Sequence, residues 1–377
     1  MAYITPLVVL LSIFSSTRAS YKCATPKDFE AENSLLKTAA FYKQNLPLHL
    51  FLFENAKTVG QGAYGEVRIV SEVEPKLVIK KMVEKKVGDF SSMIREIEVL
   101  KKICGQEPKA TSNKISDCKS DLIAGFRGCV EYGKEVYIFQ DPMLADLSNP
   151  EVLMVYRELS GGRKAQFMVD IINKFQKLHD MSIIHRDIKV GNIMLKTNDF
   201  SDIRIVDFGL SRYVDEIGSG GTPFFISPER YQNQKATVEG DIYSLAMTFA
   251  ILEEEYEIYA NEEFKKCKSA PPGTRCEMQY RNGLSKAFSK ETKTDFLFGV
   301  FLTATEIDPA KRYHKMSDFA DAITARAKDL PEFGSNPQSK VDLVWNYIKK
   351  VFDKKEDQVL NIQPLNAYDK LKAIPII

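Results

Sequence analysis

Two aspartates, a lysine and an asparagine lie close together near the middle of this 377-residue chain. Asp187, Lys189 and Asn192 belong to the segment HRDIKVGN, and Asp207 opens the tripeptide DFG. Carboxylate and amide oxygens are hard ligands that suit Mg²⁺. Phosphoryl transfer uses such a set, because its transition state gathers negative charge that metal ions and cations absorb. The spacing therefore indicates a phosphotransferase site.

This block, which continues through GTP at 221–223 to SPE at 227–229, resembles the catalytic loop and activation segment of eukaryotic-type protein kinases. The resemblance implies that Asp187 accepts the proton of a substrate hydroxyl and that Lys189 lies beside the transferred phosphoryl group. It also implies that Thr222 bonds to both residues and shapes the acceptor pocket. The lysine at position 189 resembles the catalytic-loop pattern of serine/threonine kinases rather than that of tyrosine kinases.

The same resemblance implies ATP and Mg²⁺ as cofactors, with Asn192 and Asp207 as the magnesium ligands. The family usually has proline at the position of Val190, so Val190 and Gly191 depart from its pattern. Neither position carries chemistry.

Upstream, residues 57–70 place Gly60, Gly62 and Gly65 between two strand-like runs with the spacing GxGxxG. Glycine lacks a Cβ, so backbone amides can approach phosphate oxygens closely. The spacing alone is weak evidence, because dinucleotide-binding folds share it. A strand rather than a helix follows, and Val67 comes two residues after the third glycine, which favours the kinase interpretation over a plain hairpin.

A strand over residues 77–81 and an amphipathic helix over residues 91–103 are predicted next. Lys80 resembles the lysine that grips the α- and β-phosphates of the nucleotide. Glu96 resembles its carboxylate partner, whereas Glu98 lies about 200° further around the helix and faces elsewhere.

A hairpin predicted over 122–130 and 135–139 leads to Gln140, which resembles the residue beside the adenine. Asp141 and Met143 are then implied to offer backbone hydrogen bonds to the base. The residues implied to contact the adenosine moiety are Val67, Val78, Asp141, Met143 and Met194. Val78 stands where the family usually has a smaller alanine, which narrows the pocket.

Later motifs are structural by resemblance. Asp241 is implied to anchor the backbone of the catalytic loop, and Arg312 to pair with Glu229. His185 and Phe208 are implied to stack in a hydrophobic spine. These motifs favour a protein kinase over small-molecule kinases.

The resemblance implies an α+β, two-lobed fold with a small antiparallel sheet lobe carrying one helix and a larger, mainly helical lobe. The expected organisation is a signal peptide at 1–19, an N-terminal extension at 20–54, a kinase domain at 55–330 and a C-terminal extension at 331–377. Within the domain, the small lobe is expected at 55–140 and the large lobe at 144–330. In the extensions, a helix is predicted over 30–42, ended by Pro47, and an amphipathic helix over 341–353 that docks on the large lobe or binds a partner.

The composition of the chain indicates its class and partners, and its N-terminal residues indicate the cellular compartment in which the protein acts. Hydrophobic residues make up 44% of the chain and the net charge is +1, so it has the composition of a globular protein and no global affinity for nucleic acid or anionic membranes is indicated. Residues 7–14 are an apolar run of signal-peptide length, and a cleavage site is predicted before Ser20. The alternatives are an uncleaved anchor or a buried N-terminal helix, and no later stretch is a second membrane span.

Six cysteines follow this site: Cys23, Cys104, Cys118, Cys129, Cys267 and Cys276. Cys104 with Cys118, and Cys267 with Cys276, bracket short segments that disulfides could close. The alternative is six free thiols in a reducing compartment.

The sequence therefore predicts a serine/threonine protein kinase that enters the secretory pathway, with protein hydroxyls as substrate. It faintly resembles secreted effector kinases such as the rhoptry kinases of apicomplexan parasites, which implies secretion and delivery to a host cell. A nucleotide-binding pseudokinase scaffold and a secretory-pathway kinase for a small molecule or glycan are the alternatives.

Arg186 and Ser219 form a candidate phosphorylation switch, in which Asp215 or Glu216 could instead supply a permanent charge.

Overall fold

The computed structural model describes residues 23–32, 46–62, 65–71, 76–83, 91–105, 118, 120–197, 199–222, 224–230, 235–253 and 294–334. The chain forms two compact units, of which the first ends at Pro142 and the second begins at Met143. The first unit is built around an antiparallel sheet and the second is mainly helical. The predicted α+β architecture is thereby confirmed.

The sheet of the first unit has five strands in the order β1-β2-β3-β5-β4. Their bounds are Lys57–Gly62 (β1), Gly65–Val70 (β2), Leu77–Val83 (β3), Phe126–Tyr132 (β4) and Glu135–Gln140 (β5). The predicted strand at 77–81 and the predicted hairpin are both present. Strand β4 begins later than predicted, because the apolar residues 122–124 are buried in an irregular segment before it.

Three helices lie in the described part of this unit: Pro26–Glu32 (α1), Leu48–Glu54 (α2) and Ser91–Ile103 (α3). Helix α3 has the predicted bounds. Pro47, predicted to end a helix, instead precedes α2, and its carbonyl oxygen accepts the N–H of Phe51 at 3.0 Å. Proline is well suited to a helix start, since its missing N–H would have no intrahelical partner there. The prediction of a helix over 30–42 falls largely outside the described residues.

Helix α2 packs against one face of the sheet. Leu48, Leu52 and Phe53 are each no more than 1% exposed. They join a cluster that includes Val70, Leu77, Ile79, Val130, Tyr137 and Phe139. Burying each such side chain contributes about 1.5–3 kcal/mol. The segment before β1 is therefore an integral part of the first unit.

Two disulfides close this unit. Cys104 pairs with Cys118, as the spacing predicted, and Cys23 pairs with Cys129. The second bond carries Ala24 to the edge of the sheet, where its N–H donates to Cys129 O at 2.9 Å. By closing a loop of roughly 100 residues, such a bond stabilises the folded state by about 4.7 kcal/mol in the chain-entropy account. The predicted pair Cys267–Cys276 lies outside the described residues.

The second unit contains five described helices. They are Pro150–Glu158 (α4), Gly161–Asp180 (α5), Val238–Leu252 (α6), Phe298–Ala304 (α7) and Met316–Ala327 (α8). Helix α5 starts four residues before the predicted Ala165, because Ser160 accepts the N–H of Arg163 and caps the earlier turn. Helix α6 is buried along almost all its length, as its nearly continuous apolar sequence requires.

Short strands surround the catalytic loop of the second unit. Ala145–Asp146 (β6), Ile193–Leu195 (β8) and Ile203–Ile205 (β9) form one small sheet, and Ile183–Ile184 (β7) pairs with Arg212–Tyr213 (β10). The loop 185–192 thus leaves β7 and enters β8, so both of its ends are held by strand pairing.

The signal peptide predicted at 1–19 and the helix predicted at 341–353 both lie outside the described residues. Within the described ranges, each helix is too short or too polar to cross a bilayer.

His49 on α2 is fully buried, and neither of its ring nitrogens has a hydrogen-bond partner among the described residues. Its ring makes edge contacts with Tyr132 and Tyr137, at centroid distances of 5.3 and 5.1 Å. Burial lowers the pKa of His49 to about 4, and the charges of Glu135 and Glu30 oppose this shift only in part. The folded protein therefore holds this imidazole neutral.

This burial makes stability sensitive to acid. The folded pKa of His49 lies below its ordinary value of 6.5, so its contribution is complete above about pH 6.5 and is lost as the pH falls towards 4. Between about pH 8 and pH 5 we expect a loss of about 2 kcal/mol in the free energy of unfolding. Thermal unfolding of wild type and His49→Phe at several pH values measures it.

The variant should lose this component of the pH dependence. His314→Gln, which alters a side chain that is 60% exposed, serves as the control and should keep it. An unchanged pH dependence in His49→Phe would contradict the assignment.

Candidate active site

In the first unit, Lys80 on β3 pairs with Glu96 on α3. The lysine Nζ lies 2.8 Å from both carboxylate oxygens, and Glu96 is only 2% exposed. A lysine this close to the core without a counter-charge would tend to lose its proton, so the pair keeps it cationic and fixed in position. Glu98 instead lies 3.7 Å from Arg95, as its place on the helix predicts.

The three spaced glycines lie where β1 turns into β2. Gly62 pairs with Gly65 at the end of the ladder, and residues 63–64 are outside the described residues. Gly65 has φ of 148°, and a Cβ there would overlap the carbonyl oxygen of Lys81 on β3. Close packing of strands thus explains Gly65, while the contact of Gly60 and Gly62 with phosphate stays a prediction.

Val67, Val78 and Lys80 share one face of the sheet. Val67 is directly opposite Lys80 in the β2–β3 ladder, and Val78 precedes Lys80 by two residues. Both valines are half-buried, which leaves apolar surface beside the lysine. Asp141 follows β5 at the end of the first unit, whereas Met143 opens the second unit and Met194 lies half-buried on β8.

In the second unit, the carboxylate of Asp187 receives a dense set of hydrogen bonds. Lys189 Nζ donates to Oδ2 at 2.8 Å, while the hydroxyl and N–H of Thr222 donate to Oδ1 at 2.7 and 2.9 Å. Lys189 also donates to the hydroxyl of Thr222 at 3.0 Å. The structure thus brings together the three residues to which the sequence assigned the phosphoryl-transfer step.

Asn192 closes the same loop. Its amide group donates to the carbonyl oxygen of Asp187 at 2.8 Å and to the carboxylate at 3.2 Å. Asp207 and Arg186 both adopt left-handed backbone conformations, with φ of 67° and 68°. Such conformations cost about 1–3 kcal/mol in a residue other than glycine and are typical of functional sites.

His185 links the loop to the DFG segment. Its Nδ1 accepts the N–H of Asp187 at 3.3 Å, so Nε2 carries the proton and donates to the carbonyl oxygen of Val206 at 3.1 Å. The predicted stacking on Phe208 is present, with ring centroids 5.2 Å apart.

The buried carboxylate of Asp241, at the start of α6, anchors the catalytic loop 185–192. It is 1% exposed and accepts the backbone N–H groups of His185 and Arg186 at 2.7 and 2.9 Å. His179 adds a third contact at 3.0 Å. Burial would raise the pKa of Asp241, but the hydrogen bond and charge of His179 lower it overall.

Arg312 and Glu229 form the other predicted support. The two guanidinium Nη atoms contact the two carboxylate oxygens at 2.9 and 2.7 Å. The remaining donors of Arg312 reach backbone carbonyl groups of Glu306, Ile307 and Glu239. This bidentate pair fixes the end of the activation segment to the segment before α8.

Three arginines converge on the activation segment. Arg186 donates to the carbonyl oxygen of Gly218, and Arg230 donates to those of Arg186 and Gly220 at 2.6 Å each. Burial, with the charges of Arg230 and Arg212, lowers the pKa of Arg186 to about 10. The sequence indicated Arg186 alone; Arg230 directly follows SPE, but no local pattern marks Arg212.

The carboxylate of Asp187, hydrogen-bonded by Lys189, Thr222 and Asn192, has the arrangement expected of a catalytic loop of the protein kinase class. The family model for the protein kinase domain matches residues 53–313, which is more than half of the chain. The chain therefore belongs to the protein kinase family, whose members in general use ATP and Mg²⁺.

Among curated proteins, a probable serine/threonine-protein kinase of Encephalitozoon cuniculi is 30% identical over 52% of this chain and 34% of its own length. Mitogen-activated protein kinase 14 of Xenopus laevis is 29% identical over 56% of this chain and 58% of its own. Serine/threonine-protein kinase cst-1 of Caenorhabditis briggsae is 26% identical over 52% and 37%. The chain thus spans between about a third and three fifths of the length of these relatives.

Proposed function

We propose that this protein transfers the γ-phosphoryl group of ATP to serine or threonine hydroxyls of protein substrates. The observation that carries the proposal is the Asp187 carboxylate, held by hydrogen bonds from Lys189, Thr222 and Asn192. The Lys80–Glu96 pair adds a fixed cation in the first unit. A scaffold without activity would have no need for this complete set.

Each residue then has a defined task. Asp187 orients the substrate hydroxyl and accepts its proton, since its own orientation is set by several donors. Lys189 lies within reach of both Asp187 and Thr222, where it offsets charge as the phosphoryl group transfers. Thr222 closes the acceptor side of the loop, and together with Lys189 it supports a serine/threonine preference.

The donor set suits the cofactors that the family uses. Asn192 and Asp207 offer the amide and carboxylate oxygens that Mg²⁺ prefers, and Lys80 would grip the nucleotide phosphates. When bound, MgATP supplies the phosphoryl group and neutralises part of its charge.

Replacing the proposed base tests the reaction. We expect Asp187→Asn to lower phosphate transfer from labelled MgATP to serine and threonine peptides by about 10²–10⁴-fold. Asp318→Asn, on an exposed position of α8, is the matched control and should be fully active. Transfer by wild type no greater than by Asp187→Asn would defeat the proposal, and ATP turnover without peptide labelling would favour a small-molecule or glycan kinase.

The arginine cluster supports control by phosphorylation of Ser219. This serine is exposed and lies between Gly218 and Gly220, whose carbonyl groups bind Arg186 and Arg230. A phosphate there would bring a charge of about −1.5 to −2 to clustered cations and order the segment. Glu216 is the competing anion, because its charge already acts on Arg186.

Phosphosite mapping and substitution separate these two sources of charge. We expect Ser219 to be phosphorylated in active protein, and Ser219→Ala to lower activity by about tenfold or more. Ser71→Ala, at another exposed serine, should have no effect. Full activity of Ser219→Ala with Ser219 unmodified would assign the charge to Glu216 instead.

We also propose that the protein enters the secretory pathway and is released. The predicted signal peptide supports this, as do the two disulfides, because such bonds persist in oxidising compartments. Delivery of the released protein to a host cell rests on the faint resemblance to secreted effector kinases alone.

Expression of the full chain in a secreting host tests export. We expect the protein in the medium to begin at Ser20 and to resist thiol alkylation at Cys23 and Cys129. A Ser20→Pro variant, with proline directly after the proposed site, should be processed poorly. Retention in the cytosol with an intact N-terminus would contradict export.

A further inference from the structure

Asp141, the residue that follows β5, is hydrogen-bonded to residues on either side of the first residue of β4. Its backbone N–H donates to the carbonyl oxygen of Gly125 at 2.9 Å. Its carboxylate accepts a hydrogen bond from Nε of Arg127 at 2.6 Å. A backbone bond and a side-chain ion pair therefore both hold this residue, which the sequence assigns to adenine recognition.

Gly125 makes room for this arrangement. A Cβ at this position would overlap the carboxylate of Asp141, and Gly125 does not have a left-handed backbone that would itself require glycine. The glycine is therefore explained by the close approach of the Asp141 side chain. With any larger residue at this position, the Asp141 carboxylate would have to move.

A bulge in β4 directs the arginine. The register against β5 shifts between Phe126, which faces Gln140, and Gly128, which faces Phe139, so Arg127 is the additional residue. Gly128 has φ of 127°, a conformation that favours glycine. Bulges re-aim side chains out of the regular alternation, and here Arg127 reaches Asp141.

We propose that Arg127 is a positioning residue for the nucleotide, acting through Asp141. The N–H of Asp141 already donates to the carbonyl oxygen of Gly125. The carbonyl oxygen of Asp141 is therefore its backbone group that can accept a hydrogen bond from the amino group of adenine. The Arg127 pair fixes the plane of that peptide unit before ATP binds. The inference rests on the proposed kinase function and adds a determinant of ATP affinity that lies outside the family's motifs.

The Arg127 and Asp141 side chains are 19% and 22% exposed, so both groups still reach water, and a glutamine at position 127 keeps a hydrogen-bonding side chain there. Loss of Arg127 should therefore leave the protein folded. It should, however, make Asp141, the residue proposed to contact the adenine, less firmly positioned.

Steady-state kinetics at varied ATP concentration provide the measurement. We expect Arg127→Gln to raise the KM for ATP by roughly three- to tenfold with kcat nearly unchanged, as for loss of uniform binding. Arg127→Lys should recover part of the affinity. Asp141→Asn should resemble Arg127→Gln, and the double variant should be no worse than either, because both remove the same interaction.

Arg204→Gln is the matched control. Arg204 pairs with Asp202 two residues away in the second unit, with side-chain exposures of 13% and 27%. It should leave the KM for ATP at the wild-type value. An unchanged KM in Arg127→Gln, or a fall in kcat alone, would overturn the inference.

Failure of the inference and failure of the proposed function have different signatures. MgATP binding, followed by calorimetry on wild type, Arg127→Gln and Arg204→Gln, is independent of transfer. If wild type binds MgATP without transferring phosphate, the kinase proposal fails, and the dissociation constants still decide the role of Arg127. Equal dissociation constants in wild type and Arg127→Gln, or no binding by wild type, would overturn that role.

Discussion

The catalytic loop depends on one buried carboxylate. Asp241 lies in the second unit with almost no exposure, and the backbone N–H groups of His185 and Arg186 point at it. A buried carboxylate without such partners would cost several kcal/mol. The N–H groups therefore must stay in place, and Arg186 accepts a left-handed conformation to keep them there. Asp187 is the next residue, so its position follows from this constraint.

The same rule of paired charge recurs through the molecule. Glu96 holds Lys80 in the first unit, and Glu229 holds Arg312 in the second. In the cluster of Arg186, Arg212 and Arg230, three cations lie close together, and Arg186 and Arg230 donate to backbone carbonyl groups of the activation segment. Concentrated positive charge of this kind would attract an anion added to the activation segment, and we propose this cluster as the point at which phosphorylation controls catalysis.

The first unit is stabilised by a segment that precedes its sheet. Helix α2 supplies apolar side chains to the core, and the bond from Cys23 to Cys129 joins the chain before α1 to the edge strand β4. Covering an edge strand also protects it from pairing with other chains. Under the proposed export from the reducing cytosol, such a bond would persist as a part of the fold.

The sequence by itself determined the elements and residues whose signals are local. Asp187, Lys189 and Asn192 share one loop, so their spacing and its resemblance to the kinase catalytic loop singled them out, and the helical period selected Glu96 over Glu98. Tertiary structure decided what depends on distant contacts. Cys23 and Cys129 are 106 residues apart, and Pro47 starts a helix because the sheet buries the apolar residues after it. The bulge that aims Arg127 at Asp141 exists only once β4 and β5 pair, so no local pattern in the chain could reveal it.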